Sequence, residues 1–132
     1  MDEDALRVLL VEDDEAVAEM YRIRLEVDGY DVAVAHDGES GLREALAAPP
    51  DLMYLDIRLP RIDGLEVLRR LRRDARGATV PVILISNYSE PELIATGLKL
   101  GALDYLVKAE TSPGQLSRKV KEWMATEEHS AV

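Results

Sequence analysis

The sequence predicts an α/β domain: a five-stranded parallel sheet, doubly wound, with helices on both faces. Two observations carry that prediction. Short apolar runs recur at regular intervals along the 132 residues, each too short to be a helix. Between them lie segments with helical spacing and helical punctuation, so strand and helix alternate. The runs are close to continuously apolar, as strands are when both faces of a sheet are covered.

The first run, Val8-Leu9-Leu10-Val11, precedes a helix on which Val17, Met20, Tyr21 and Leu25 recur three and four residues apart, and which Gly29 stops. Val32-Ala33-Val34-Ala35 follows, then a helix capped by Asp37 and ended by Pro49-Pro50. Leu52-Met53-Tyr54-Leu55 leads through a turn at Asp63-Gly64 into a third helix carrying Leu65 and Leu68. Val82-Ile83-Leu84-Ile85 is followed by Ser89-Glu90-Pro91-Glu92, and Tyr105-Leu106-Val107 by Ser112-Pro113-Gly114-Gln115. Both tetrapeptides fit a capping box with proline in the first turn. Leu116, Val120 and Met124 supply the stripe of the last helix. No linker, repeat or low-complexity segment intervenes. The expectation is therefore one domain over 1–132, with its core at about 7–124, short frayed tails (Met1–Ala5, Glu127–Val132) and no attached effector.

Composition narrows the function. Hydrophobic residues make up 47% and charged residues 32%, the balance of a folded protein. Cysteine is absent, which excludes disulfide scaffolds, thiolate metal sites and thiol catalysis. The net charge of −10 argues against direct binding to nucleic acid or an anionic membrane. No apolar run approaches the ~20 residues that span a bilayer, and the acidic N-terminal stretch lacks the apolar core of a signal peptide, so a cytoplasmic address is expected.

In open doubly wound sheets ligands sit beyond the carboxyl ends of the strands. There the first strand ends in Glu12-Asp13-Asp14, the third in Asp56, the fourth in Ser86-Asn87 and the fifth in Lys108. Each residue alone has a structural explanation: Asp14 as a helix cap, Ser86 as a turn cap, Lys108 as a surface lysine. Together they pose a problem, because clustered carboxylates repel unless something cationic holds them. Mg²⁺ resolves it, since it takes oxygen ligands, keeps several waters, and commonly uses one or two carboxylates together with phosphate oxygens. Asp13 and Asp56 suit direct ligation, and the longer Glu12 suits direct or water-mediated contact.

Four separately placed motifs carry a resemblance. Val8-Leu9-Leu10-Val11-Glu12-Asp13-Asp14, Leu55-Asp56-Ile57-Arg58-Leu59-Pro60 with Asp63-Gly64, Val82-Ile83-Leu84-Ile85-Ser86, and Asp104-Tyr105-Leu106-Val107-Lys108 resemble the receiver domain of two-component response regulators, from about Arg7 to Met124. The resemblance implies a flavodoxin-like sheet of order 2-1-3-4-5. It implies Asp56 as phosphoacceptor, charged by a sensor histidine kinase or phosphotransfer protein. Asp13, Asp56 and the backbone carbonyl of Arg58 would ligate Mg²⁺. Ser86 would hydrogen-bond the phosphate, Lys108 would pair with it, and Tyr105 would be the switch aromatic. The implied protein is a stand-alone regulator, monomeric or weakly dimeric, that catalyses its own phosphorylation and dephosphorylation. Its output would be contact of the fourth helix, fifth strand and fifth helix with a target protein.

The sequence departs from the family's pattern at four places. Asn87 and Ala109 replace a small residue and a proline, so the peptide bond at Ala109 should be trans in a rearranged loop, or strained; Pro113 cannot substitute. Arg58 and Tyr88 would overhang the phosphate, hinder in-line water and prolong the phosphorylated state. Competing readings are a phosphorylation-independent pseudo-receiver, a fragment of a longer regulator, and a haloacid-dehalogenase-type phosphatase, which would need an acid where Arg58 stands. A flavodoxin-like redox protein lacks visible flavin-stacking aromatics. Arginines 58, 61, 69, 70, 72, 73 and 76 read as the solvated face of the third helix, with Glu66 and Arg70 paired, or as a docking patch for an acidic partner. His36 and His129 read as surface or tail residues, and Trp123 as packing against the sheet.

Overall fold

A computed structural model describes residues 5–87 and 89–130, with side chains described to 125. Strands and helices alternate: β1 (Arg7–Val11), α1 (Glu15–Val27), β2 (Asp31–Ala35), α2 (Gly38–Ala47), β3 (Leu52–Asp56), α3 (Gly64–Arg73), β4 (Val82–Ser86), α4 (Pro91–Lys99), β5 (Asp104–Val107) and α5 (Pro113–Ser130). A 3₁₀ turn, Lys108–Glu110, joins β5 to α5. All strand pairs are parallel and the order is β2-β1-β3-β4-β5, as the resemblance implies.

The alternation of side chains along the strands divides the core into two layers. Leu9, Val11, Met53, Leu55, Val82 and Leu84 face Leu65, Val67, Leu68 and Leu71 of α3. Val8, Leu10, Leu52, Tyr54, Ile83 and Ile85 face Ala18, Tyr21 and Leu25 of α1 and Leu116 and Val120 of α5. Trp123 and Met124 are partly buried against this second layer, as expected. The buried Tyr54 hydroxyl donates to the Leu116 carbonyl at 2.6 Å, satisfying the one polar atom the ring brings inside.

Several local expectations hold. Asp14, Asp37 and Asp63 each cap a helix by accepting from the amide three residues on, at 3.0, 2.8 and 2.9 Å. Ser112 and Gln115 form the reciprocal capping box of α5, at 2.8 and 3.1 Å. Gly29, with φ of +97°, closes α1 through bonds from its own amide to Glu26 and from Tyr30 to Leu25.

Others need correction. Only β1, β3 and β4 are covered on both faces; β2 alternates between exposed and half-buried, and β5 is half-buried throughout, because they are the sheet edges. Met20 is 44% exposed, and Ala18 fills the α1 stripe instead. Glu90, not Ser89, holds the N-cap position of α4 and makes no side-chain cap bond. Arg72 does not belong to the solvated face of α3. Its guanidinium donates to the carbonyls of Gly77, Val80, Leu100 and Gly101, at 3.1, 2.8, 2.8 and 3.2 Å. Glu66 pairs with Arg70 as expected, at 2.8 Å, and also with Arg69. Most of the tail positions, the His129 side chain and Tyr88 lie outside the described residues.

Candidate functional site

The carboxyl ends of β1, β3, β4 and β5 deliver the candidate residues to one edge of the sheet. The β1–β3 register pairs Val11 with Leu55, so the acids that follow Val11 stand beside Asp56. The β3–β4 register pairs Asp56 with Ile85, which sets Ser86 one residue further out, fully buried at the strand end. Lys108 follows the last residue of β5 directly.

Oxygens of Glu12, Asp13 and Asp56 lie within 4.8 Å of one another. Glu12 and Asp56 are 0% and 2% exposed, whereas Asp13 faces solvent. The Lys108 ammonium, 10% exposed, sits between the buried pair. It donates to Asp56 Oδ2 at 2.6 Å and lies 2.5 Å from Glu12 Oε1, a charge contact without hydrogen-bond alignment. The other Asp56 oxygen accepts from the Arg58 amide at 3.0 Å, and Glu12 Oε2 accepts from the Asp14 amide at 3.1 Å. Three carboxylates therefore share one ammonium.

Protonation behaviour follows from this imbalance. Burial pushes the Glu12 carboxyl above the usual carboxylate range, against the pull of Lys108 and the Asp14 amide. Burial, then Glu12 beside it, raises Asp13 as well. Burial works against the Lys108 ammonium, yet Asp56 and Glu12 more than offset it and hold its pKa above the ordinary lysine value. The donor set is all oxygen, partly solvated and short of positive charge, which fits a hard divalent cation. Lys108 engages both Glu12 and Asp56, so the exposed Asp13 is the most available of the three.

Two further elements support the site. Gly64 stands at the expected turn, but its φ is not positive; glycine is needed there because a Cβ would lie 2.2 Å from the Asp56 carbonyl oxygen. The bond from its amide to the Ile57 carbonyl, 2.8 Å, seats α3 against the end of β3. The Asp-Gly pair signalled a turn; the close approach is set by tertiary packing. The loop after Lys108 takes the first of its two expected forms, a trans bond in a rearranged loop. Among the described residues no peptide bond is cis, Lys108–Ala109 included, and the chain turns through the 3₁₀ segment. The Thr111 amide and hydroxyl bond the Lys108 and Val107 carbonyls at 3.1 and 2.8 Å, and the Tyr21 hydroxyl on α1 donates to the Thr111 carbonyl at 3.0 Å.

The remaining candidates sit at the rim. The Arg58 guanidinium lies 2.6 Å from Glu90 Oε1 across the gap to α4, so the side chain is tied sideways rather than only overhanging Asp56. Asn87 is exposed. His36 is exposed, with its Nδ1 2.9 Å from the Glu12 carbonyl oxygen. Tyr105, on β5 opposite Leu84, is half-buried against the α3-side core.

Comparison with known proteins agrees with this arrangement. The family model for the response regulator receiver domain matches residues 8–121. A DNA-binding dual master transcriptional regulator, RpaA, from a Synechocystis species is 42% identical over 102 residues, 77% of this chain and 42% of that protein. PhoP of Bacillus subtilis, an alkaline phosphatase synthesis transcriptional regulatory protein, is 37% identical over 115 residues, 87% of this chain and 47% of its own. The chain thus spans less than half the length of these relatives. Among solved structures, a CheY-like receiver domain protein from Methanospirillum hungatei superposes with a TM-score of 0.88 at 28% identity, covering 96% of this chain and 99% of that one. A response regulator from Chloroflexus aurantiacus gives 0.83 at 33%, covering 92% and 99%. With the strand order, the acidic edge and the lysine after β5 already in place, these matches leave one assignment: the chain belongs to the response regulator receiver domains of two-component systems.

Proposed function

We propose that Asp56 accepts a phosphoryl group from a sensor histidine kinase or phosphotransfer protein, and that the chain catalyses this transfer itself. The observation that carries the reading is the Asp56 carboxylate at the end of β3, nearly buried and held by Lys108 on one oxygen and the Arg58 amide on the other. A donor's P–N bond breaks as an Asp56 oxygen bonds to phosphorus, and the departing electron pair stays on the imidazole of the donor. Negative charge spreads over the equatorial phosphoryl oxygens, so the protein's task is positioning and cationic stabilisation. Lys108 supplies one cation. Asp13 and Asp56, with the Arg58 carbonyl and Glu12 directly or through water, would hold Mg²⁺, whose charge balances that of the phosphoryl oxygens when bound. Ser86 donates a hydrogen bond to the new phosphate, and Tyr105 turns with it, altering the α4–β5–α5 surface presented to a target protein. A kinase-fed role is a cytoplasmic one, and no helix among the described residues is long and apolar enough to cross a membrane.

A second reading has an observation of its own: the transcriptional regulators it resembles are more than twice as long as the matched region. The chain would then serve as the receiver portion of a longer regulator, and its output would be an attached domain rather than a separate target.

Incubation with an acyl phosphate and Mg²⁺, followed by intact mass, tests the proposal. One phosphate adduct is expected on the wild type and none on Asp56→Asn. Absence of an Asp56-dependent adduct would return the chain to the pseudo-receiver class.

A further inference from the structure

From the geometry around α4 we infer that Arg58 and Glu90 form a latch that phosphorylation opens by a change of partner. The inference rests on the phosphoacceptor reading above and adds a regulatory element to it. Arg58 is rooted at the site, because its amide is bonded to Asp56 Oδ1 at 3.0 Å. Its guanidinium reaches outward instead and meets Glu90 Oε1 at 2.6 Å. Glu90 is the N-cap residue of α4, and its carboxylate makes no cap bond to the helix it precedes. This ion pair thus joins the loop after the phosphoacceptor to the first turn of the adjoining helix.

Magnitudes favour a swap. The Arg58 side chain is 60% exposed and that of Glu90 34% exposed. An ion pair in such a setting shifts an equilibrium only about two- to fivefold. A phosphoryl group on Asp56 brings between about −1.5 and −2 charges and three strong acceptor oxygens within reach of a planar five-donor guanidinium. Charge-assisted bonds to it outweigh the single carboxylate. Glu90 is not stranded by the exchange: it is left beside the open amides of the first turn of α4, where the helix dipole favours an anion. Both arrangements are satisfied, which is what a two-state element requires. In the resting state Glu90 holds Arg58 away from an incoming anionic donor. In the phosphorylated state Arg58 holds the phosphate and α4 is untied at its N-terminal end.

The test is a mutant cycle on phosphorylation by acetyl phosphate with Mg²⁺, read by intact mass over time. In that reaction an Asp56 oxygen–phosphorus bond forms, the bridging oxygen–phosphorus bond breaks, and acetate leaves with the electron pair. Glu90→Gln is expected to raise the rate about two- to fivefold, the factor set by an exposed ion pair. Arg58→Gln is expected to lower it, and Glu90→Gln should then have no further effect in the Arg58→Gln background. If Glu90→Gln accelerates equally in both backgrounds, the carboxylate acts on the donor through space and the latch is refuted, while the phosphoacceptor reading stands. If wild type forms no adduct, that reading fails and the latch falls with it. Nitrogen-15 spectra supply a second measurement: unphosphorylated Glu90→Gln should move the amides of Glu92, Leu93 and Ile94 towards their positions in phosphorylated wild type. Amides that stay at their resting positions also overturn the latch.

Discussion

Helices α3 and α4 leave neighbouring strands and flank the same mouth, yet they are fastened in opposite ways. α3 is capped by Asp63, buries Leu65, Val67, Leu68 and Leu71, and presses Gly64 against the backbone of Asp56. α4 has no side-chain cap, fully buries only Gly97, rests Leu93 and Leu100 part-buried on the core, and is tied at its ends: by Arg58 on Glu90 at the first turn and by Arg72 on the Leu100 and Gly101 carbonyls at the last. Packing energy scales with buried apolar area, so α3 shares the stability of the core while α4, with less buried area, leans more on polar ties. One helix is therefore suited to fixing the geometry of Asp56, and the other to reporting a change of charge there.

The harshest way to break that contrast is to push α3 off its seat. Gly64→Ala sets a methyl carbon 2.2 Å from the Asp56 carbonyl oxygen, which is backbone and cannot swing aside. A cost of about 3 kcal/mol is expected, the upper end for overpacking a fitted site. Displacement of Asp56 by a fraction of an ångström to an ångström should slow acceptance of phosphate by up to about a hundredfold. Urea unfolding and the time course of adduct formation measure the two effects separately. Wild-type stability in this variant would mean that α3 is not seated on β3 as described.

This contact also marks where sequence reasoning stopped. The alternation of elements, the three Asp caps and the Glu12, Asp13, Asp56 and Lys108 edge were legible because each depends on residue type and local spacing. The acids and the lysine follow strand ends that the apolar runs define, and parallel order brings strand ends together. Arg72 was not legible. In sequence it is one of seven arginines between residues 58 and 76, and only the return of the chain through Gly77, Val80, Leu100 and Gly101 gives it four carbonyls to satisfy. Glu90 likewise looked like part of a capping box, because the pattern cannot show that Arg58 competes for its carboxylate. Edge strands read as buried for a related reason: β2 is apolar enough to be central, and only the strand order exposes it.

Arg72 offers the next test, one that acts on α4 from its far end. Arg72→Ala leaves carbonyls at the end of α4 and in the α3–β4 connection without their cationic donor, and bonds of this charged kind are worth about 1.5–3 kcal/mol. A loss of about 2 kcal/mol is expected, and Arg72→Lys should recover little of it, since an ammonium cannot span four acceptors in a fixed fork. Hydrogen exchange distinguishes the regions: amides of Leu100 and Gly101 should exchange faster, while those in the middle of α3 follow only the global change. Uniform acceleration in both helices would erase the distinction between a packed helix and a tied one.

The smallest expected effect concerns the acid sensitivity of α3. Arg70, and then Arg69, hold the Glu66 carboxyl below the usual glutamate range. A carboxyl whose pKa is lower folded than unfolded stabilises the fold above its unfolded value, about 4.3, and that contribution disappears as pH falls through the lowered folded value. The pair should therefore be fully present from neutral pH down to about pH 5 and vanish only in stronger acid. Replacement of Glu66 by Gln should flatten the acid limb slightly and leave stability near neutrality little changed, because the pair is solvated and screened. A carbon-13 titration of the Glu66 side-chain carboxyl reads the midpoint directly. A midpoint at or above the ordinary glutamate value would show that the arginines of α3 are not engaged by Glu66, and would return that helix face to the open, basic surface its sequence suggests.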